Sequence, residues 1–296
     1  MTQTSASAIS VVIVNYNGGE WIARSVAAAL ASGAAEVIVS DNGSQDGSLS
    51  AIHEIAARDN RVKAIANGAN LGFAAGANRA LQKLIPESEF VLFLNPDCVM
   101  GAETLARMSA AMREHPGAGM AGCLVQNPDG SEQRGSRRRI PTPASALARV
   151  LRLDRVFPSW SGFDLAGTPL PDEPQPTEAV SGAFMFVRRS ALQAVGPLDE
   201  GYFLHCEDLD WFMRFREAGW TILFVPDARA THAQGASSKS APVRVEWHKH
   251  RGMARFYCKF YRRRYPLPLL WLVFAGIWLR FAAKAAWLTL FQRKNR

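Results

Sequence analysis

The chain has 296 residues, 48% of them hydrophobic, enough to bury a full α/β core with or without an appendage. Its formal net charge of +8 sits at one end: from Arg244 onward 13 Lys and Arg face only Glu246, leaving 21 basic and 25 acidic residues before that point. A cationic tail on a mildly acidic domain argues against a nucleic-acid-binding core.

The N-terminal stretch Met1 to Ser10 has no basic segment followed by an apolar run, so no signal peptide is expected. Ser10 to Val14 is a β-branched run ending in the turn formers Asn15, Asn17, Gly18 and Gly19, and a helical pattern covers Trp21 to Leu30. Strands are predicted at Glu36 to Ser40, Val62 to Ala66 and Phe90 to Leu94. They alternate with helices near Leu49 to Arg58, Ala74 to Leu84 and Glu103 to Arg113. Continuous apolar strands alternating with helices predict a mainly parallel sheet covered on both faces. Ligands of such sheets gather at the C-terminal strand ends. Those ends carry the polar loops Asn15-Tyr16-Asn17, Asp41-Asn42-Gly43-Ser44, Asn67 to Gly72 and Asn95-Pro96-Asp97. Turn chemistry alone accounts for many Asn, Asp and Gly residues there, yet four such loops on one edge also make a polar cleft. Neither Gly-x-Gly-x-x-Gly nor a P-loop Gly-Lys-Ser/Thr follows the first strand, which weakens nicotinamide and ATP readings.

Regularity falls between Asn127 and Ala179, where Arg134, Arg137, Arg138 and Arg139 cluster ahead of several prolines. This segment reads as a flexible excursion with one helix, Ala144 to Leu153. Its arginines are either a solvated charge run or a lid contacting an anionic substrate. The core resumes with a strand at Ser181 to Val187 and a short helix, Arg189 to Val195. Glu207, Asp208 and Asp210 then stand between Tyr202-Phe203-Leu204 and Trp211-Phe212-Met213. Carboxylates are costly among aromatic residues unless paired, metal-bound or lining a cleft. One reading makes Asp208 a helix cap, with Glu207 at the positive helix end and Asp210 paired to Arg214; the other makes the cluster a site. Strands follow at Thr221 to Val225, closed by Pro226, and at Ala228 to His232. The four cysteines, Cys98, Cys123, Cys206 and Cys258, form no Cys-x-x-Cys pair, which fits a reduced cytoplasmic protein.

Several ordered motifs now stand together: Val-Val-Ile-Val-Asn-Tyr-Asn at 11–17, Val-Ser-Asp-Asn-Gly-Ser-Gln-Asp-Gly-Ser at 39–48 and Asn-Leu-Gly-Phe-Ala-Ala-Gly-Ala-Asn at 70–78. Phe-Leu-Asn-Pro-Asp at 93–97, Ser-Gly-Ala-Phe at 181–184 and Glu-Asp-Leu-Asp-Trp at 207–211 follow. In their order and spacing the chain resembles the family-2 inverting glycosyltransferases, especially the rhamnosyltransferase-like branch, over about Ser10 to Ser238. The resemblance implies a GT-A nucleotide-sugar-binding α/β sandwich holding a nucleotide-diphosphate sugar, and a divalent cation, Mg²⁺ or Mn²⁺, that neutralises the diphosphate. It makes Asp97 a metal ligand, with Asn95 standing where the family's Asp-x-Asp has its first acid. His232 is a second metal ligand or a hydrogen-bonded histidine. Asn15, Asn17 and Asp41 become nucleoside contacts, with Asn70, Gly72 and Asn78 nearby; for Gly72 a backbone-turn role is an equal alternative. Asp208 becomes the base that deprotonates the acceptor hydroxyl, Glu207 its partner, and Asp210 with Arg214 structural support. Trp211 reads as core or acceptor-pocket wall.

The tail predicts a basic helix from Arg244 to Tyr265. Then comes an almost wholly apolar run, Leu267 to Leu279, interrupted by Arg280 and Lys284 before Ala285 to Phe291. Thirteen apolar residues fall short of the ~20 a spanning helix needs, and two cations at the bilayer centre would cost about 2.5–3.5 kcal/mol each. An interfacial or re-entrant helix on an anionic membrane surface is expected, with a helix packed on the core or on a second copy as the alternative. The expected division is a catalytic domain, 1–243, and a membrane-associating tail, 244–296, on a protein held peripherally at the cytoplasmic face of the cell membrane. Its expected donor is dTDP-L-rhamnose and its acceptor a glycan or lipid-linked glycan. A UDP-hexose or UDP-galactofuranose donor, or a catalytically silent nucleotide-sugar-binding subunit, are the competing functions.

Overall fold

The computed structural model describes residues 8–150, 163–233 and 242–294. Its first half is the predicted alternation: β1 (Ala8–Asn15), α1 (Trp21–Ala31), β2 (Glu36–Asp41), α2 (Ser48–Arg58), β3 (Val62–Ala66), α3 (Phe73–Leu81) and β4 (Ser88–Leu94). Then come β5 (Cys98–Met100), α4 (Thr104–Glu114), β6 (Ala118–Gln126), β7 (Arg137–Arg138), α5 (Pro143–Val150), β8 (Gln175–Thr177), β9 (Ala179–Val180) and β10 (Phe184–Arg188). The chain continues with α6 (Arg189–Val195), α7 (Glu207–Glu217), β11 (Thr221–His232), α8 (Pro242–Tyr261) and α9 (Leu267–Lys294).

Among the described residues one nine-stranded sheet runs β3-β2-β1-β4-β10-β6-β11-β5, with β8 also paired to β11. The strands β3, β2, β1, β4, β6 and β11 point one way and β10, β5 and β8 the other, so the sheet is mixed but mainly parallel. Apolar side chains fill both faces, one cluster against α1, α2 and α4 and the other against α3, α6, α7 and α8. Burial on both faces explains why β1, β2 and β4 are apolar without alternation.

Strand β6 was not legible as a strand, because Ala118 to Gln126 is rich in Ala and Gly. Packing supplies the reason: a Cβ at Gly122 would collide with Val180, and one at Gly119 would sit 2.8 Å from the Trp220 side chain. Pro226 does not end a strand as expected. Strand β11 runs unbroken for 12 residues and absorbs the proline at an irregularity between Val225 and Arg229, the kind of place where a strand tolerates one.

Among its described residues the 127–179 excursion holds β7, β8 and the start of β9 besides its helix. Helix α5 begins one residue before the expected start, and the expected end, Leu153, lies outside the described residues. A solvated charge run is also excluded for part of the cluster. Arg137 is buried, paired with Glu132 at 2.8 Å and donating to the carbonyls of Thr168 and Pro169.

The tail differs most from expectation. Helix α9 does not break at Arg280 but continues for 28 residues, and the segment Leu267–Leu290 is long and apolar enough to cross a membrane. The length objection to a spanning helix therefore falls. One of the two cations is paired within the protein, Lys284 with Glu246 of α8, while Arg280 is exposed and borders a cavity beside α8. Leu270, Val273 and Ile277 join the core, whereas Trp271, Leu279 and Trp287 are exposed.

Candidate active site

Parallel register aligns the ends of the first strands, with Asn15 beside Asp41 and Asp41 beside Ala66. The loops after them build the predicted polar edge. Asn15 Nδ2 donates to Asp41 Oδ1 at 2.7 Å and to the hydroxyls of Ser44 and Ser48 at 3.0 and 2.9 Å. Asp41 also accepts from the Ser44 hydroxyl and from the backbone N–H groups of Gly43 and Ser44. Four donors fill the acceptor positions of one carboxylate, so Asp41 shapes the loop rather than offering free lone pairs. Asn17 sits at a positive φ of 51° and accepts from Gln45 N–H at 2.8 Å, linking the first two loops.

The third loop is held by Asn42, whose amide donates to the Gly72 carbonyl at 3.0 Å, while Asn70 Oδ1 accepts from Gly72 N–H at 3.0 Å. Gly72 has φ 86°, and a Cβ there would collide with the Phe203 carbonyl. The turn role is therefore the one its geometry requires. Asn78 faces elsewhere: its amide is engaged with the backbone of Leu198 and with Glu200, which ties α3 to the loop before the acidic cluster.

Asn95, Asp97 and His232 meet at the fourth loop. Strand β5 pairs with the end of β11, placing His232 opposite Cys98. His232 Nε2 lies 3.0 Å from Asp97 Oδ1 and 3.4 Å from Asn95 Nδ2. Gln133, not singled out in the sequence, controls the imidazole. Its amide nitrogen donates to Asn127 Oδ1 and to the His232 carbonyl, both at 3.0 Å, so its oxygen accepts from His232 Nδ1–H at 2.7 Å. With Nδ1–H held by Gln133, Nε2 is the ring nitrogen that faces Asp97, the arrangement in which a histidine can offer Nε2 to a metal. One buried carboxylate and one oriented imidazole fit a divalent cation, which would draw further oxygen ligands from a bound diphosphate and water. Among the described residues no group of three or more His, Cys, Asp or Glu gathers to hold a metal without such help.

The acidic cluster opens α7. His205 and Cys206 precede it with φ of 66° and 70°, two strained non-glycine residues in a row at roughly 1–3 kcal/mol each. The strained turn is gripped from both sides: Gly72 abuts the Phe203 carbonyl, and a Cβ at Gly252 of α8 would lie 2.7 Å from the His205 carbonyl. Cys206 is the N-cap position and no side chain caps the helix, so Asp208 is not the cap. Its Oδ2 instead takes a short charge-assisted bond from Arg138 of β7. A Cβ at Gly182 would stand 2.9 Å from the same oxygen, which accounts for the glycine of Ser-Gly-Ala-Phe. The neighbouring Ala183 carbonyl accepts from Asn95 N–H at 3.0 Å, so one short segment joins the Asp97 turn to Asp208. Asp210 is fully buried between Arg214 at 2.8 Å and Lys259 of α8 at 2.6 Å. Trp211 is wholly buried against Phe93 and Phe215, core rather than pocket. Glu207 is buried, and among the described residues its Oε2 has no hydrogen-bond partner. Burial, then the neighbouring Asp208 charge, push its carboxyl up to about 8, so Glu207 holds its proton near neutrality.

The model of Glycosyl transferase family 2 matches residues 10–196. The chain belongs to glycosyltransferase family 2. Over 283 residues this transferase is 29% identical to the N-acetylglucosaminyl-diphospho-decaprenol L-rhamnosyltransferase of Mycobacterium tuberculosis (strain ATCC 25618 / H37Rv), covering 92% of this chain and 91% of that protein. Rhamnosyltransferase WbbL of Escherichia coli (strain K12) is 27% identical over 62% of this chain and 69% of its own. Among solved structures, GalNAc-T7 with UDP, GalNAc and Mn²⁺ superposes with a TM-score of 0.61 at 18% identity, over 86% of this chain and 48% of that one. Mannosyltransferase PcManGT from Pyrobaculum calidifontis, in complex with GDP-Man and Mn²⁺, gives 0.59 at 18% identity over 95% and 74%. These likenesses establish the GT-A fold expected from the motifs.

Because Glu207 is raised above its unfolded value, its stabilising contribution is complete below about pH 4.5 and declines as the pH rises through about 8. Glu207→Gln removes that decline. Urea denaturation is expected to show the variant gaining stability relative to the parent between pH 5 and pH 8; parallel pH dependences would contradict a buried neutral Glu207.

Proposed function

We propose that this transferase moves L-rhamnose, from dTDP-L-rhamnose, to a hydroxyl of a lipid-linked saccharide by a metal-dependent, inverting displacement at the cytoplasmic face of the membrane. The donor sugar and acceptor class rest on the relatives' names. The observation that supports the mechanism is the Gly182-Ala183 segment, which packs against Asp208 and hydrogen-bonds to the turn that carries Asp97 beside His232.

In this reading Asp97 and His232 hold the cation, which when bound neutralises the diphosphate and eases its departure. The loops at Asn15, Asn17, Asp41 and Asn70 form the donor wall. Asp41 acts through loop shape, and Asn78 positions the loop ahead of α7. Asp208 accepts the proton of the acceptor hydroxyl as its oxygen attacks the anomeric carbon and the bond to the diphosphate breaks. Two of its four acceptor positions are occupied, by Arg138 and by Leu209 N–H, leaving room for that hydroxyl. A protonated Glu207 beside it keeps a second negative charge out of the site. Residues 244–296 form the membrane-associating part, with the outer face of α9 toward lipid.

Two outcomes follow. Asp208→Asn is expected to lower turnover by roughly 10²–10⁴-fold while donor binding, followed by calorimetry with Mn²⁺ present, survives; unchanged turnover would remove Asp208 from the role of base. Replacing exposed Trp271, Leu279 and Trp287 by Glu is expected to abolish co-sedimentation with anionic liposomes while the circular dichroism spectrum is kept. Co-sedimentation equal to the parent chain would exclude α9 as the membrane contact.

A further inference from the structure

A cavity of about 670 Å³ lies between the start of α7, the segment around Arg138, and helices α8 and α9. Its lining is divided by chemistry. Arg138, Lys249 and Arg280 supply cations, whereas Met253, Phe256, Leu272 and Ile277 supply apolar wall. Asp208 lines the same cavity, so the space opens at the carboxylate proposed as base. Among the described residues neither Lys249 nor Arg280 forms an ion pair, whereas Arg255, Lys259 and Lys284 of the same helices do. His250 also lines it, fully buried; its Nδ1–H donates to the Glu246 carbonyl at 2.7 Å and its Nε2 has no partner among the described residues. Two unpaired cations beside an apolar wall call for a ligand that is anionic at one end and hydrocarbon at the other.

We propose that this cavity is the acceptor's lipid-diphosphate site: Lys249, Arg280 and Arg138 take the diphosphate, and the α8–α9 wall takes the first isoprenoid units. The assignment rests on the lipid-linked acceptor of the preceding section and deepens it. Leu272 is at once cavity wall and 60% exposed, so the apolar lining is continuous with the outer surface of α9, along which the remaining prenyl chain passes into the bilayer. The diphosphate at the three cations leaves the attached sugar next to Asp208. Gly276 lines the cavity as well, and a Cβ there meets nothing within 4 Å, which keeps the passage open.

Farnesyl diphosphate is the probe, titrated calorimetrically into the full chain in detergent micelles. Wild type is expected to bind it, with inorganic diphosphate and farnesol each at least about tenfold weaker because each lacks half of the site. The double variant Lys249→Ala/Arg280→Ala, and separately Gly276→Phe, which fills the passage, are each expected to weaken binding by about tenfold or more. Donor nucleotide affinity serves as the folding control for both. Equal affinity in parent and variants, or displacement of the probe by phosphatidylglycerol at equal concentration, would overturn the assignment. Transfer assays separate this from the functional reading. If wild type glycosylates a prenyl-diphosphate-linked sugar and the variants do so with unchanged KM, the cavity assignment fails and the function stands. If the probe binds as expected but no rhamnose is transferred, the function fails and the cavity stands.

Discussion

Three carboxylates on the first turn of one buried helix repel one another, and much of the molecule resolves that conflict. Each acid is settled differently. Asp210 is paired with Arg214 from its own helix and Lys259 from α8; Asp208 is paired with Arg138 from β7; Glu207 Oε2 has no hydrogen-bond partner among the described residues, and its carboxyl, pushed up to about 8, holds its proton. Such environments push neighbouring acids apart in proton affinity, the general device for placing one base among several carboxyls. Breaking either paired arrangement would leave a buried charge, commonly a loss of about 3–5 kcal/mol. Elements distant in sequence are thus bound to the geometry of a single turn.

The same constraint changes what the C-terminal helices are. A basic and apolar tail reads in sequence as an appendage, yet α8 supplies Lys259 to Asp210 and presses Gly252 against the strained turn at His205 and Cys206. Lys259 and Arg255 also hold Asp199, in the loop that Asn78 grips from α3. The segment proposed to meet the membrane is therefore mechanically continuous with the proposed base.

What the sequence disclosed follows from how local each signal is. Strands β1, β2 and β4 were legible because burial on both faces makes them continuous apolar runs, and their loops were legible because turn chemistry is local. Strand β6 was hidden since close packing against Val180 and Trp220 demands Gly where a strand would ordinarily show branched residues. The unbroken α9 was hidden because the cost assigned to Arg280 and Lys284 treated both as bare charges, whereas Lys284 is paired with Glu246 and Arg280 borders the cavity beside α8. Of the motif residues, Asp97 and His232 meet, and Asp208 is joined to their turn through Gly182 and Ala183. Their partners Arg138, Gln133 and Lys259 could not be found from spacing: Arg138 is 70 positions from Asp208 and Gln133 is 99 from His232. No local pattern encodes such contacts. Asp41 shows the converse, a motif residue whose prominence reflects the loop it builds and not a vacant contact.

Stereochemistry tests the proposed mechanism most directly, since a single displacement with Asp208 as base has one outcome at the anomeric carbon. The measurement is the one-bond carbon–proton coupling at the new anomeric centre, read by NMR on the first product before any further reaction. The displacement predicts an anomeric configuration opposite to that of the donor sugar. A product retaining the donor's configuration would contradict it and require a different use of the acidic turn.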